Sequence, residues 1–243
     1  MTPIQGDWKI DAIGLPAEVL RKIYFDNARR LLVRSLPLPT IRAPHLGRDF
    51  EPDGRLTEAA WDNAPVARLE YTLREGQARP ELTTTVRLLW SDRYLYLGYV
   101  APYTQLTTFK PASLNQERLG LWDKDVVEVF VGADATNANH YAEFEVAPTG
   151  EKLDLVLDFP AKDFAWSSGF AAAVRQDHAR KVWTTEMRIP LAALSPTPPA
   201  IGTQWRLNLY RHDLAHRAFL AWNPTATPTA HTPARFGFLV FDE

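Results

Sequence analysis

The chain has 243 residues, 46% of them apolar, with a formal net charge of −2 and no cysteine. That apolar share suffices for the core of one large all-β domain, or of one domain with a short appendage. Charges of both signs are spread along the chain, so the basic footprint of a nucleic-acid or anionic-membrane binder is excluded, and the lack of cysteine removes disulfides, thiol nucleophiles and Cys-based zinc sites together.

The opening residues, MTPIQGDWKIDAIG, show no basic segment followed by an apolar one, so no signal peptide is expected. The chain as written then reads as cytoplasmic, and as secreted if it belongs to a longer precursor. No uncharged apolar run of about 18 residues occurs, so no membrane partner is expected. Residues 16–34, PAEVLRKIYFDNARRLLVR, predict one N-terminal α-helix: Leu20, Ile23, Tyr24, Asn27, Ala28 and Leu31 fall at helical spacing, and Pro16 suits the first turn. The helix must end before Pro37, and LPLPTIRAPH reads as an extended linker, so residues 1–40 form a helix-and-linker segment. From Gly14 to Leu31 this segment is similar to the C-terminal helix of the amidohydrolase-related family of metal-dependent barrel hydrolases, although the barrel and any His-x-His pair are absent. The resemblance implies a remnant of a hydrolase domain, with a hydrolase domain or subunit as a partner. The alternative is an ordinary amphipathic helix whose apolar stripe needs a covering surface.

From residue 45 to 243 the texture is different. A turn at DGRLTEAAWDNAP contains a short helical stretch around Glu58 to Trp61. Strand-like runs follow at 83–90, 93–101, 126–132, 140–147, 152–158, 180–189, 203–211, 217–222 and 235–241, with Pro- and Gly-rich connections. Short strands at this spacing predict an all-β fold, an antiparallel β-sandwich of jelly-roll type. Several strands alternate cleanly. Tyr141, Glu143 and Glu145 oppose Ala142, Phe144 and Val146; Arg206, Asn208 and Tyr210 oppose Trp205, Leu207 and Leu209; Glu186 and Arg188 oppose Met187 and Ile189. Such alternation predicts one buried and one solvated face. A solvated face of Glu, Arg, Asn and Tyr has the composition of a polyol-binding surface, and equally that of any exposed sheet face.

In order, DGRLTEAAWDNAP (53–65), TVRLLWSDRYLYLGYVA (85–101), WDKDVVEVFVGA (122–133), YAEFEVAPTGEKLDL (141–155), WTTEMRIPLAAL (183–194), GTQWRLNLYR (202–211) and AWNPT with PARFGFLVF (221–241) resemble the family 9 carbohydrate-binding modules. The resemblance implies a β-sandwich that binds sugars without cleaving them, often tethered to an enzyme. It also implies a site of two tryptophans clamping a terminal sugar, with polar side chains bonding its hydroxyls. Trp122 matches the first tryptophan, Glu128 the acid and Asn208 the amide; Glu145 stands where the family has an arginine, and Ala230, beside His231, where it has the second tryptophan. Arg206 and Tyr210 complete the expected ligand set as neighbours on the same strand face. Trp122 and Glu128 are about 20 Å apart if the chain between them is extended, so a shared site requires residues 120–125 to fold back.

Other constellations carry weaker expectations. His212 and His216 in HDLAH are spaced i, i+4 as in a helical zinc site, but the segment leaves a strand and reads as a hairpin, so no metal ligands are assigned. Asp123, Asp125 and Asp134 could hold a structural calcium, which the resemblance implies; without an EF-hand pattern they read as solvated turn acids, and no cofactor is expected. No Gly-x-Ser-x-Gly elbow is present, and no catalytic residue is assigned. The sequence therefore predicts a non-catalytic carbohydrate-binding module with a weak or altered sugar site and a saccharide partner. The alternative is an accessory domain of an amidohydrolase-type hydrolase with no glycan ligand of its own.

Overall fold

The computed structural model describes residues 14–134 and 136–243; the expectation of no signal peptide lies largely on residues outside these. The chain divides between Leu36 and Pro37 into two units. The first carries the predicted helix, as Ala17–Arg21, one wide π turn at Lys22–Asp26, and Asn27–Leu32, closed by a 3-10 turn at Val33–Ser35. Pro16 stands just before it in an extended conformation, where its missing N–H costs nothing. Among the described residues no helix is long and apolar enough to cross a membrane.

The second unit is built of strands: β1 (Thr40–Ala43), β2 (Val66–Leu69), β3 (Tyr71–Thr72), β4 (Thr84–Trp90), β5 (Tyr94–Pro102), β6 (Val126–Gly132) and β7 (His140–Val146). There follow β8 (Lys152–Asp158), β9 (Ala161–Asp163), β10 (Ala171–Asp177), β11 (Val182–Pro190), β12 (Gln204–Asp213), β13 (Ala218–Ala221) and β14 (Gly237–Phe241). Among the described residues they form two sheets. One has nine strands in the order β1-β14-β12-β6-β7-β8-β9, with β13 on β12 and β3 on β13; the other has five in the order β10-β11-β5-β4-β2. The nine runs expected from alternation all appear as strands. The segment read as a linker does more than connect, because Thr40–Ala43 pairs in parallel with β14 along Phe238–Phe241.

The two sheets pack as a sandwich because each contributes one apolar face. Val127, Val129 and Val131 of β6, Phe144 of β7, and Leu207 and Leu209 of β12 meet Val86, Leu88, Leu97, Tyr99, Trp183 and Met187 of the second sheet, all buried. β-branched residues suit this pleated packing. Tyr99 also crosses between the layers, its hydroxyl donating to the Glu128 carbonyl at 2.9 Å.

The outer faces are less solvated than alternation predicts. On the nine-stranded sheet Glu128, Glu143, Glu145, Asn208 and Tyr210 are all buried. Tyr210 belongs to a second apolar cluster on this side, with Leu121, Phe130, Tyr141, Leu155, Leu157 and Phe236. The cause is the covering segments, which lay apolar side chains over a face whose own strand residues are polar. The same happens on the five-stranded sheet, where residues 53–61 cross Glu186. Its carboxylate accepts four N–H groups: Asp53 at 2.6 Å and Gly54 at 2.8 Å on one oxygen, Leu56 and the Trp61 indole at 3.1 Å each on the other. Gly54 is required there, with φ at 78° and an added Cβ 2.9 Å from the Val174 backbone.

Replacing Glu186 by Ala leaves those buried donors unpaired, and charge-assisted bonds of this kind are the costly ones to lose. Glu186→Ala is expected to destabilise the domain by about 3 kcal/mol in urea denaturation, and Trp61→Phe, which removes one donor, by about 1 kcal/mol. A loss below about 1 kcal/mol for Glu186→Ala would show that the anchor contributes little.

Candidate functional site

Alternation and register assemble the site. With Val127, Val129 and Val131 turned into the core, Glu128 and Phe130 point to the outer side of the sheet. Glu128 stands opposite Glu145 on β7 and Tyr210 on β12, and Phe130 opposite Glu143 and Asn208. Leu153, Leu155 and Leu157 of β8 extend the same face.

Trp122 reaches this face by the fold-back that its separation from Glu128 demands. Gly120 turns the chain at φ 80°, and Leu121–Asp123 form one 3-10 turn, with the Lys124 N–H bonded to the Leu121 carbonyl at 3.1 Å. Asp125 fixes the turn, its carboxylate accepting the backbone N–H groups of Thr107 at 2.6 Å and Leu214 at 2.7 Å. Trp122 and Glu128 thereby line one pocket of about 180 Å³. Phe130 and Glu143 complete its floor; His212, Phe219, Lys162 of β9 and the loop Pro228–His231 form the remaining walls.

Of the residues expected from sequence, Trp122, Glu128 and His231 line this pocket, and Asn208, Tyr210, Arg206 and Glu145 do not. Asn208 Nδ2 donates to the Tyr210 hydroxyl at 2.8 Å and to the Asn223 carbonyl at 2.9 Å, while its Oδ1 accepts the N–H groups of Leu209 at 3.0 Å and Asn223 at 3.1 Å. The Tyr210 hydroxyl donates to the Ala230 carbonyl at 3.0 Å. Both side chains therefore tie the loop after β13 to the sheet. Arg206 acts similarly further along, donating to the carbonyls of Pro233 and Phe236 and lying 4.7 Å over the Phe238 ring. Glu145 is wholly buried, opposite Glu128 on one side and Leu153 on the other.

Sequence reasoning missed Phe130, Glu143, Lys162, Phe219 and the pocket role of His212. Phe130 and Glu143 were accessible from strand parity, since they share faces with Glu128 and Glu145. Lys162 had no such signal, because it sits on a three-residue strand with no periodicity of its own.

His231 occupies the side where a second aromatic wall was expected. Its ring stacks on Phe130 (centroids 5.2 Å apart, planes at 22°) and on Phe159 (5.8 Å, 22°). Lys162 Nζ is 2.6 Å from its Nε2, and the Tyr141 hydroxyl is 2.9 Å from its Nδ1. An ammonium can only donate, so Nε2 accepts and Nδ1 carries the proton in this arrangement. The Lys162 ammonium also lies 5.9 Å over the Trp122 ring.

The electrostatics are dominated by burial. Glu128 is pushed well above the usual carboxyl range by desolvation and by the neighbouring Glu143; Glu145 rises for the same reason with Glu128 and Glu143 beside it, and Lys162 opposes both shifts. Glu143 is also raised by burial. His212 Nε2 lies 3.3 Å from Glu128 Oε1, yet burial lowers His212 to about 4, and burial with Lys162 lowers His231 to about 4. Burial thus disfavours the charged form of each of these carboxyls and imidazoles, and they stand beside an indole and the Lys162 ammonium, an arrangement that offers a sugar polar partners together with an apolar stacking face.

Asp123, Asp125 and Asp134 are not drawn together as a cation site. Asp125 is committed to Thr107 and Leu214, and Asp134 accepts from Thr136. Among the described residues, the acidic or imidazole groups that do converge are Asp53, Glu58 and Glu186, and of these Glu186 already accepts four N–H groups. HDLAH is a hairpin turn: His212 faces Glu128, whereas His216 Nδ1 bonds Asp213 at 2.8 Å.

A raised carboxyl in the folded state contributes stability that is complete below its ordinary value of 4.5 and is lost as pH rises through the folded value. The two histidines act oppositely: their contribution is complete above 6.5 and is lost as pH falls towards about 4. Glu145→Gln removes one buried ionisable group without changing shape. It is expected to be more stable than the parent at pH 8, by about 1 kcal/mol or more, and to show a smaller drop in stability between pH 5 and pH 8. Urea denaturation at the two pH values measures both; an unchanged drop would contradict the assignment of Glu145 as a destabilising buried acid.

A profile of the carbohydrate family 9 binding domain-like family matches residues 53–243. Over 169 residues the chain is 24% identical to endo-1,4-β-xylanase A of Thermotoga maritima, a stretch that is 68% of this chain and 14% of the xylanase. The chain thus spans a small part of the length of that curated relative. Among solved structures, a candidate carbohydrate-binding protein of Bacteroides uniformis superposes with a TM-score of 0.69 at 18% identity, covering 85% of this chain and all (100%) of that one. A family 9 carbohydrate-binding module of Caldicellulosiruptor kristjanssonii in complex with cellotriose gives 0.62 at 17%, covering 84% of this chain and 94% of that one. The complex of a family 9 module from the same organism with glucose gives 0.59 at 18%, covering 84% and 96%. These likenesses show the same sandwich fold, and the family profile begins at residue 53, beyond the helical segment. With the profile covering most of its length, the chain belongs to the carbohydrate family 9 binding domain-like family.

Proposed function

We propose that this chain is a non-catalytic carbohydrate-binding module whose ligand is a single sugar residue or chain end held against Trp122 over Glu128. The observation that supports this most is the fold-back at Gly120–Asp125, which puts an indole and two buried carboxyls around one small pocket. At about 180 Å³ the pocket is smaller than the ~300 Å³ at which drug-sized sites begin, which favours one ring over an oligosaccharide groove.

Affinity is expected to be low. Stacking one sugar face on an indole removes about 60 Å² of apolar surface, or about 1.5 kcal/mol, and a second wall would add a similar amount. Here that wall is Ala230 and a His231 already stacked on Phe130 and on Phe159, so binding should be about tenfold weaker than in a two-walled site. Family 9 modules bind cellotriose and glucose in two of the solved structures, which makes glucose and short β-glucans the first ligands to test. The likeness to part of a xylanase supports a module tethered to a catalytic domain, where its role would be to raise the enzyme's effective concentration at a polymer.

One observation favours the part of a second reading that gives the domain no glycan of its own, the reading being an accessory domain of an amidohydrolase-type hydrolase. The polar atoms of Asn208 and Tyr210 are spent within the fold and not presented to a ligand. Calorimetric titration separates the two. The first predicts measurable binding of glucose or cello-oligosaccharides, reduced about tenfold or more in Trp122→Ala. No binding across a broad glycan panel would discard it in favour of the second.

A further inference from the structure

The pocket holds more acid than its own cation can balance. Glu128 and Glu143 line it, Glu145 stands directly opposite Glu128, and all three are at most 3% exposed. Lys162 is the one ammonium lining the pocket, and it is engaged by His231 at 2.6 Å. Glu143 is the decisive group: it lines the pocket, it is 3% exposed, and its Oε2 has no hydrogen-bond partner. Both Glu145 carboxyl oxygens are likewise without one. A neutral sugar hydroxyl can donate one bond to such an oxygen but does nothing to offset the burial of its charged form. An ammonium donates and also favours the ionised form of these buried carboxyls, and bonds between ionised partners are about twice as strong as neutral ones. The walls already accept this chemistry, since the Lys162 ammonium lies 5.9 Å over the Trp122 ring.

We infer that the ligand class preferred by this pocket is an amino sugar with a free ammonium, recognised by Glu143 and Glu128, in place of a neutral hexose. The inference rests on the reading of the pocket as a sugar site and specifies its ligand. Trp122 takes the apolar face of the ring, and the ammonium points to the Glu143 side of the floor. Lys162 is then a competitor as well as a wall, because it is a built-in ammonium beside the same carboxyls.

Titration of the full chain at neutral pH with glucosamine, N-acetylglucosamine and glucose tests this by calorimetry. Glucosamine is expected to bind about tenfold more tightly than the other two, because acetylation keeps the substituent but removes the charge. Glu143→Gln, nearly isosteric, should bring the three to parity, with retention of fold checked by thermal denaturation. Lys162→Ala should widen the preference, and it remains a test should Glu143→Gln not fold. Glucose binding as tightly as glucosamine would overturn the inference and leave the sugar-site reading intact. A glucosamine preference that survives Glu143→Gln would overturn the assignment to Glu143. Binding of none of the three, nor of neutral oligosaccharides, would remove the sugar-site reading and this inference together.

Discussion

The central strands of the nine-stranded sheet, β6 and β7, are buried on both faces, and this constraint shapes everything else in the domain. The sheet's inner face packs on the five-stranded sheet through valines, leucines and Phe144, as any sandwich requires. Its outer face carries glutamates, an asparagine and tyrosines, which must be covered without being left unpaired. Asn208 and Tyr210 solve the problem by bonding the backbone of the covering loop. The glutamates do not solve it fully: three acids are buried within one register neighbourhood, with oxygens of Glu143 and Glu145 unpartnered. Buried polar groups in this state are expensive to a fold. Where they collect beside an indole in a pocket, a ligand-binding role is the economical explanation.

Two devices make that pocket. The first is local: Gly120, the 3-10 turn after it and the Asp125 staple return Trp122 to the strand that follows it. The second is distant in sequence: the connection between β13 and β14 that carries His231, held through Asn208, Tyr210 and Arg206, places an imidazole against Phe130. Lys162 joins them by bonding His231. The site is therefore set by covering segments at least as much as by the strands. Glu186 plays the matching role on the other sheet, where one carboxylate anchors residues 53–61 through four N–H donors.

The sandwich was legible because period-two alternation is a local signal: Val127, Val129 and Val131 announce a core face without knowledge of their neighbours. β9 and β10 were not legible, since Ala161–Asp163 is too short and Ala171–Asp177 too exposed to alternate. The same alternation misled at Glu143, Glu145, Asn208 and Tyr210, because strand parity says which way a side chain points and nothing about what later covers it. Trp122 and Glu128 were placed by resemblance, and their meeting in one pocket follows from a glycine turn and an Asp staple whose partners, Thr107 and Leu214, lie 18 and 89 residues away. Lys162 and Phe219 depend on such long-range placement entirely.

The central claim is that a sugar enters the pocket between Trp122 and the Lys162–His231 pair. Heteronuclear NMR with a saccharide titrant tests it most directly, with the Trp122 indole N–H assigned through Trp122→Phe. The account predicts that this resonance shifts in a saturable way, together with Lys162 and His231, while the indoles of Trp183 and Trp205 in the core stay fixed. Saturable shifts elsewhere on the surface, with the Trp122 indole unmoved, would contradict it.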